Sequence, residues 1–408
     1  MKYDFRAEKS LGYTTGSCAC AGAYSGLYYL KNGEILDFVE IENPNGEILI
    51  IPIERIIINP KNANSVKVVV KKFSGEDIDV TNGEFIEIDV KLLKNDDLNK
   101  FDKFDKFDNL KIDKVSNIKE YENEFVIING GKGVGLVTKE GLQIQVGDYA
   151  INPKPRGMII ENCLKLLEKD EKSQKPVEKV MVTVSVPNGL ELAKKTLNPK
   201  LGIIKGISIL GTTGIVRPMS NDAYKNSLVP QIDVALSKNY KSVIFVAGNI
   251  GTKYAKKDTD INIHDKYFKN GFDEDKVIEV SNFWDFMLDK ALEKGIEEIT
   301  IYGHSGKIVK LAGGIYNTHS KVSDARNEIL TAYSAQYIDD KSLIRKILYA
   351  NTTEEINGYL KEIRILETVY NEICKRVVER LEYRWDKIKF NCHIIGMKGE
   401  KLGKFDKN

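Results

Sequence analysis

The first half of the chain alternates short apolar runs with helical segments. Gly16 and Ser17 provide a turn and an N-cap for an alanine-rich helix through residues 18–30. A second helix is predicted over residues 158–170. Runs rich in β-branched residues predict strands at residues 35–41, 47–53, 66–71, 125–129 and 180–186. This mixture predicts a domain of the α+β class.

The second half of the chain follows a different pattern. Short apolar runs at residues 207–210, 243–246, 277–280 and 299–302 each end in a loop of small or polar residues. Mostly helical segments separate these runs, which is typical of βαβ units on a parallel sheet. Asn198-Pro199 and the polar run before it predict a boundary. We therefore expect an α+β domain at residues 1–195 and an α/β domain with a mostly parallel sheet at residues 196–408.

Two charged regions lie outside this framework. Residues 91–119 include a Lys-Phe-Asp triplet repeated from Lys100 to Asp108. A period of three suits neither a helix nor a strand, so we expect a surface insertion without a catalytic role. After residue 306 the chain is charged and predicts helices, most clearly at residues 323–334 and 361–380.

Composition and charge exclude several classes of protein. The 61 lysines and arginines nearly balance the 59 aspartates and glutamates, and the net charge of +2 is too small for a nucleic-acid partner. The most apolar stretch, residues 48–58, is too short to span a bilayer, and the N-terminus lacks the apolar core of a signal peptide. The five cysteines favour small reduced side chains over a metal site. We expect a cytoplasmic protein with no membrane partner, and the oligomeric state stays open, a homo-oligomer included.

The ends of the four apolar runs are the predicted ligand site. In open parallel sheets, ligands bind beyond the carboxyl ends of the strands at a topological switch point. Small residues at these ends allow a ligand to approach the backbone closely. The residues expected to bind a small molecule are Gly211, Thr212, Thr213, Gly214, Gly248, Asn249, Gly251, Asn282 and Gly303.

A separate glycine pattern, Gly131-x-Gly133-x-Gly135, is a weak candidate for binding phosphate. It lacks the spacing of the dinucleotide fingerprint, and no clear helix follows it. The residues after it continue as a strand, so we expect a hairpin turn at this point.

Two histidines fall in loops of the second half. His304 follows the last apolar run between Gly303 and Gly306, so we expect its imidazole to be accessible. His319 comes shortly before the predicted helix at residues 323–334, and Asp324 lies early in that helix. A histidine titrates near neutral pH, which suits a proton-transfer role.

Motifs between residue 11 and about residue 330 resemble one known family. The motifs are Leu-Gly-Tyr-Thr-Thr-Gly-Ser-Cys-Ala at 11–19, Asp-Val-Thr-Asn-Gly at 79–83, the glycine segment at 131–138, Ala-Ile-Asn-Pro-Lys-Pro-Arg at 150–156, Ile-Leu-Gly-Thr-Thr-Gly-Ile-Val at 209–216, Gly-His-Ser-Gly-Lys at 303–307 and Asn-Thr-His-Ser-Lys at 317–321. In this order they are similar to the CbiD family of cobalt-precorrin-5B C(1)-methyltransferases.

This resemblance implies a two-domain enzyme that methylates C-1 of cobalt-precorrin-5B in anaerobic cobalamin biosynthesis, giving cobalt-precorrin-6A. It implies S-adenosylmethionine as the methyl donor in the predicted ligand site. Cobalt arrives within the substrate, so no protein-bound metal is expected. The substrate carries many carboxylates, and we expect cationic side chains to bind them. The candidates for substrate binding are Thr14, Thr15, Ser17, Lys132, Arg156, Lys307, Lys310 and His319, and the catalytic candidates are His304 and Asp324.

Two other classes of protein are less compatible with the sequence. A nicotinamide-dependent reductase of the same pathway would need a Gly-x-Gly-x-x-Gly fingerprint with a downstream acidic residue, which is missing. A non-catalytic protein that binds adenosyl compounds or nucleotides would not need the motifs at residues 13–18 and 131–156.

Overall fold

The computed structural model of the protein describes residues 2–4, 10–58, 60, 62–93, 123, 125–167, 178–217, 221–258 and 273–407. The chain forms two compact units, Met1–Asn221 and Asp222–Asn408. Within the described residues, no helix combines the length and the apolar character needed to cross a bilayer. Residues 94–119 of the predicted insertion lie outside the described residues, and its first three residues belong to a strand.

The first unit mixes strands and helices along the chain. In chain order its elements are β1 (Lys2–Asp4), β2 (Gly12–Tyr13), α1 (Thr15–Asn32), β3 (Phe38–Glu42), β4 (Ile48–Pro52), β5 (Arg55–Ile58), β6 (Ser65–Lys71), β7 (Phe85–Leu93), β8 (Val126–Gly130), β9 (Gly133–Val134), β10 (Leu136–Val137), α2 (Pro153–Leu164), β11 (Lys179–Ser185), α3 (Gly189–Ala193), β12 (Ile203–Ile204), β13 (Gly206–Ile207) and β14 (Ile215–Val216). The largest sheet among the described residues has the order β5-β6-β7-β11-β8. It is antiparallel except between β11 and β8. The predicted α+β class is confirmed.

Helix α1 lies buried at the centre of the first unit. Gly22 and Gly26, which are one turn apart, face Ile88 and Val90 of β7. A Cβ at Gly22 would lie 2.3 Å from Cδ1 of Ile88, and a Cβ at Gly26 would lie 2.6 Å from Cγ2 of Val90. The missing side chains therefore allow the helix to pack closely on the sheet. Close packing of this kind maximises dispersion contacts in the core.

A buried ion pair stabilises the turn between β6 and β7. Lys72 is 1% exposed. Its Nζ lies 2.6 Å from Oγ of Ser74 and 3.0 Å from Oδ2 of Asp79. The other oxygen, Oδ1, accepts hydrogen bonds from the backbone and the hydroxyl of Thr81 at 2.8 and 2.7 Å. The Asp-Val-Thr-Asn-Gly motif at residues 79–83 therefore has a structural role in this turn.

Three backbone segments cross at Gly133. A Cβ at Gly133 would lie 1.9 Å from the carbonyl oxygen of Val186, and one at Gly206 would lie 2.1 Å from the carbonyl oxygen of Gly133. This approach lets β9 pair with β13 and β10 with β12. The predicted hairpin at residues 131–135 is therefore wrong, because these residues pair with a segment about 70 residues later along the chain.

The same pairing changes the division of the chain. The sequence predicts a boundary between residues 195 and 196, whereas the first unit extends to Asn221. Strands β12, β13 and β14 pair with β10, β9 and β2 of this unit. The apolar run at residues 207–210 is thus not a strand of the parallel sheet.

The second unit is built around one mostly parallel sheet. Its elements are α4 (Asn221–Leu228), α5 (Pro230–Ser237), β15 (Ser242–Val246), α6 (Asn249–Ala255), a 3₁₀ turn (Glu274–Lys276), β16 (Val277–Glu279), α7 (Trp284–Lys294), β17 (Glu298–His304), α8 (Ser305–Ala312), α9 (Arg326–Ser334), α10 (Lys341–Leu348), α11 (Thr353–Glu362), α12 (Leu366–Arg384), β18 (Lys389–Ile395) and β19 (Lys401–Phe405). The sheet order is β16-β15-β17-β18-β19, and β19 alone is antiparallel to its neighbour. The predicted α/β class is confirmed.

The C-terminal part differs from its helical prediction at two places. Strand β18 is the fourth parallel strand, and it buries Phe390 and Cys392 between β17 and β19. The helix predicted at residues 361–380 is divided, because Arg364 has a φ of 62° and separates α11 from α12. A left-handed residue cannot continue a right-handed helix.

We predict that Asp79→Asn lowers the free energy of unfolding by about 3–5 kcal/mol, because it leaves the Lys72 ammonium buried without a counter-charge. Urea denaturation at neutral pH measures this loss. The double variant Lys72→Met/Asp79→Asn should be less destabilised than Asp79→Asn, and equal losses in the two would contradict the prediction.

The pair also predicts a pH dependence. Burial would raise the pKa of the Asp79 carboxyl, but the charge of Lys72 and the hydrogen bonds from Thr81 outweigh burial and hold the pKa below its usual value of 3.8. The contribution of Asp79 to stability is therefore fully present above pH 3.8 and is lost as the pH falls through the lower folded-state pKa.

Candidate active site

The parallel sheet of the second unit has a topological switch point at β15. The next strand along the chain, β16, pairs with one edge of β15, and β17 pairs with the other. At the carboxyl ends, Val246 is aligned with Glu279 on one side and with Tyr302 on the other. A crevice that suits a ligand is expected beyond such a reversal. We call residues 246–249, 279–282 and 303–307 the sheet rim.

Gly248 lies at the centre of the sheet rim. Its φ of 137° is disfavoured for residues with a side chain. Among the described residues, a Cβ at this position would meet only Oε1 of Glu279 within 4 Å, at 3.9 Å. The backbone of Gly248 therefore has open space in front of it, which suits close approach by a ligand. Asn249, which follows it, is exposed at the first position of α6.

Gly251 and Gly303, the other two glycines predicted to bind a ligand in the second unit, have different surroundings. A Cβ at Gly251 would lie 2.9 Å from Cβ of Val246, so this glycine serves the packing of α6 on β15. A contact between Gly251 and the cofactor stays a prediction. Gly303 is buried near the end of β17, where a Cβ would make ordinary contact with Ile308 at 3.5 Å.

Lys307 follows β17 in the sequence, and its side chain reaches the end of β15. Its Nζ donates a hydrogen bond to the carbonyl oxygen of Ala247 at 3.0 Å and so links the start of α8 to the end of β15. Burial lowers the pKa of Lys307, and the nearby charge of Glu279 opposes this shift. The ammonium group is thus a partly desolvated cation at the sheet rim.

His304 caps helix α8 and binds a carboxylate. Its Nδ1 accepts a hydrogen bond from the backbone N–H of Gly306 at 3.2 Å. This assigns the proton to Nε2, which lies 2.6 Å from Oε1 of Glu354. Burial would raise the pKa of the Glu354 carboxyl, but the hydrogen bonds from His304, the backbone and Thr353, together with the electrostatic effect of His304, outweigh burial and keep the pKa below its usual range. His304 and Glu354 therefore act as one hydrogen-bonded pair.

Glu354 is a site residue that the sequence did not indicate. It lies 50 positions after His304, in the first turn of α11. A glutamate in the first turn of a helix is common for electrostatic reasons alone, so no local pattern distinguishes it. Only the packing of α11 against the start of α8 brings the two side chains together.

The loop at residues 317–323 is attached to the sheet rim by a backbone hydrogen bond. Ser281, with a φ of 54°, turns the chain after β16, and Asn282 accepts a backbone hydrogen bond from Thr318 at 3.1 Å. Lys310 lies under this loop and donates to the carbonyl oxygens of Thr318 and Ser323 at 3.0 and 2.7 Å. It is only 2% exposed. The ammonium group of Lys310, which the sequence predicts to bind substrate carboxylates, donates instead to the loop backbone in this structure.

Two further candidates lie in the same loop region. His319 is exposed, and its Nδ1 accepts a hydrogen bond from the backbone of Lys321 at 3.1 Å. Asp324 precedes α9 instead of lying within it, and it forms a salt bridge with Arg326 at 2.7 Å. The charge of the Asp324 carboxylate is thus partly neutralised by the neighbouring arginine.

The motifs at residues 14–17 and 210–214 form one cluster in the first unit. Thr14 caps α1 by accepting a hydrogen bond from the backbone of Ser17 at 3.1 Å. Oγ of Ser17 donates to the carbonyl oxygen of Gly214 at 2.6 Å, and Oγ1 of Thr15 accepts from the backbone of Leu210 at 2.9 Å. Gly211 has a φ of 151°, and a Cβ there would lie 2.3 Å from Oγ1 of Thr14.

These contacts change the expected position in the fold of one predicted cofactor loop, residues 211–214. Gly211, Thr212, Thr213 and Gly214 lie in the loop between β13 and β14, so their expected position at the end of a parallel strand is wrong. Thr212 and Thr213 are exposed, and the Thr213 hydroxyl donates to the carbonyl oxygen of Ile215 at 3.1 Å. The physical reason is that residues on both sides of this loop pair with strands of the first unit.

The cationic candidates of the first unit differ in exposure. Lys132 is exposed in the glycine segment before β9. Arg156 is partly buried in α2, where Nε donates to the carbonyl oxygen of Ile151 at 2.8 Å and Nη2 to that of Tyr149 at 3.4 Å. Arg156 therefore holds the turn that leads into α2.

Comparison with known proteins identifies relatives over almost the whole chain. Residues 2–218 match the CbiD family, and residues 317–406 match the family described as CbiD, C-terminal domain. A protein of Methanocaldococcus jannaschii named cobalt-precorrin-5B C(1)-methyltransferase is 58% identical, over 99% of this chain and 99% of its own length. A protein of the same name from Methanococcus aeolicus is 56% identical, with the same coverage of both chains.

A solved structure with detectable similarity is the crystal structure of the cobalamin biosynthesis protein (cbiD) from Archaeoglobus fulgidus. It is 27% identical, with a TM-score of 0.35, and the match covers 78% of this chain and 84% of that one. The family matches and the full-length relatives together lead to one conclusion: the chain belongs to the CbiD family.

Proposed function

We propose that this protein transfers a methyl group from S-adenosylmethionine to C-1 of cobalt-precorrin-5B, giving cobalt-precorrin-6A in anaerobic cobalamin biosynthesis. The observation that carries the proposal is similarity along the entire chain, since relatives named for this reaction match 99% of it at 58% and 56% identity. Cobalt enters the reaction as part of the macrocyclic substrate.

The sheet rim is the proposed site of the methyl donor. Open space in front of Gly248 gives a ligand access to the backbone at the topological switch point. Asn249, Asn282 and Gly303 complete this group of candidates around β15, β16 and β17. When bound, the donor supplies an electrophilic methyl carbon on a sulfonium.

The residues of the chain act on this reaction mainly by binding and orientation. Methyl transfer to a ring carbon needs that carbon aligned with the methyl group, with water excluded. The partly desolvated ammonium of Lys307 suits a carboxylate of either ligand. In the same proposal, exposed His319 of the second unit binds a carboxylate at the acidic periphery of the macrocycle.

His304 and Glu354 are proposed to hold a proton near the reacting carbon. Both ring nitrogens of His304 have partners, so Glu354 fixes the orientation of the imidazole and its Nε2–H tautomer. The imidazole side chain is 18% exposed and that of Glu354 is 40% exposed. Both groups are thus accessible to a ligand in the crevice, and Glu354 serves as a positioning residue.

The cysteines are consistent with the proposed location in the cytoplasm. All five are described, and all are buried and free. Unpaired cysteines are typical of proteins from reducing compartments.

We predict that Gly248→Val lowers the affinity for S-adenosylhomocysteine at least tenfold, because the side chain fills the space in front of the backbone. Isothermal titration calorimetry measures the change. Gly295→Val is the matched control, since Gly295 also has a positive φ, of 85°, and nothing within 4 Å of a Cβ. If both variants bind S-adenosylhomocysteine like the wild type, the donor does not bind at Gly248.

We also predict that His304→Ala lowers kcat by roughly 10²–10⁴-fold, the usual contribution of general acid–base catalysis, while S-adenosylhomocysteine binding persists. His304→Asn separates catalysis from helix capping, since asparagine caps helices well but does not titrate. This variant should keep its thermal stability and lose kcat to a similar extent. Wild-type turnover by His304→Asn over the accessible pH range would restrict His304 to capping.

Glu354→Gln tests the positioning role in the same assay. It should lower kcat less than His304→Ala and leave the affinity for S-adenosylhomocysteine unchanged, because the imidazole is retained but loses the carboxylate that orients it. A kcat equal to that of the wild type would contradict this role.

A further inference from the structure

One carboxylate at the sheet rim has a defined position and no polar partner among the described residues. Glu279 is the last residue of β16 and is aligned with Val246, the last residue of the central strand. It is half-buried, and within the described part of the chain its carboxylate makes no hydrogen bond or salt bridge. Oε1 lies 3.9 Å from the position of a Cβ on Gly248. The carboxylate therefore borders the open space at the switch point.

The backbone of Glu279 is fixed independently of its side chain. Gln231, in α5, is buried with 3% exposure. Its Oε1 accepts a hydrogen bond from the backbone N–H of Glu279 at 2.9 Å, and its Nε2 donates to the carbonyl oxygen of Glu279 at 3.1 Å. The amide of Gln231 thus takes the place of a neighbouring strand at the sheet edge. This arrangement fixes the position from which the carboxylate extends.

The two charges at the rim occupy opposite sides of Gly248. Lys307 approaches from α8 and is hydrogen-bonded to Ala247, while Glu279 approaches from β16. The negative charge of Glu279 opposes the lowering of the Lys307 pKa, while the Lys307 ammonium group donates its hydrogen bond to Ala247. A ligand at Gly248 would therefore meet a hydrogen-bond acceptor on the β16 side and a cation on the α8 side.

We propose that the Glu279 carboxylate binds the ribose hydroxyls of the methyl donor. This inference rests on the proposed function and deepens it by naming the group that recognises the adenosine part. A carboxylate offers two acceptor oxygens, and a vicinal diol offers two donors at matching separation. An acidic residue at the end of the strand next to the central strand serves this purpose in doubly wound nucleotide-binding folds.

The dinucleotide-binding fingerprint does not identify Glu279, because its distance in sequence from Gly248 differs from the spacing in that fingerprint. Glu279 follows Gly248 by 31 positions, whereas the acidic residue of the dinucleotide fingerprint follows by about 20. The loop after β15 also has a single glycine of unusual φ instead of the Gly-x-Gly-x-x-Gly pattern. The carboxylate and the glycine are adjacent only because β16 pairs with β15.

Calorimetry with modified ligands tests the proposal. The wild type should bind S-adenosylhomocysteine roughly 10- to 100-fold more tightly than its 2′-deoxy or 3′-deoxy analogue, the range for a hydrogen bond to a charged group. Glu279→Ala should bind S-adenosylhomocysteine more weakly than the wild type does, by the same factor. It should bind the deoxy analogues about as tightly as it binds S-adenosylhomocysteine. Glu297→Ala is the matched control, because Glu297 precedes β17 at the opposite end of the sheet and is 65% exposed in its side chain.

The outcomes separate this inference from the function on which it rests. If the wild type binds S-adenosylhomocysteine but Glu279→Ala keeps its affinity and its preference for the hydroxyls, the inference is wrong and the donor site stands. If the folded wild type does not bind S-adenosylhomocysteine, the proposed function fails together with the inference. Thermal unfolding of Glu279→Ala should match the wild type, because Gln231 binds only the backbone of Glu279.

Discussion

Close contact between backbone segments at glycines is the constraint on which the first unit depends. At Gly133 the carbonyl and Cα groups of three segments meet at distances that exclude any side chain on Gly133, Gly189 or Gly206. The short strands β9, β10, β12 and β13 exist only because of this crossing. It keeps residues 196–216 with the first unit and thereby determines where the second unit begins. A larger residue at the crossing would separate the segments, since a packed interior cannot absorb the added volume.

Family motifs in this chain divide into two physical kinds. The Asp79 motif and the cluster of Thr14 with Gly211 satisfy buried polar groups, and each residue has its partners within the same unit. Lys310 belongs to this kind as well, since it donates hydrogen bonds to two carbonyl oxygens under a loop. Gly248, Lys307 and His304 are different, because they lie at the carboxyl ends of the parallel strands, where ligands bind in such sheets. A charged residue within a family motif therefore does not by itself indicate a ligand-binding or catalytic role.

The sheet rim combines features that have separate origins in the chain. Gly248 gives access to the backbone, Glu279 and Lys307 supply opposite charges on its two sides, and Glu354 orients His304. These residues come from strand ends, a loop and helices between positions 248 and 354 of the chain. The sheet order brings Gly248, Glu279 and His304 to one edge, and helix packing adds Glu354. The reversal at β15 leaves this edge open to a ligand.

The sequence by itself determined the class of both units, an alanine-rich helix over residues 18–30, strands at residues 243–246, 277–280 and 299–302, and the family. These are local properties, since hydrophobic periodicity, caps and motifs are written within a few residues. Only the tertiary structure decided that residues 206–216 pair within the first unit, that β18 completes the parallel sheet, and that Glu354 meets His304. Each of these depends on contacts between residues far apart in the chain, and short apolar runs or single charged residues carry no information about their distant partners.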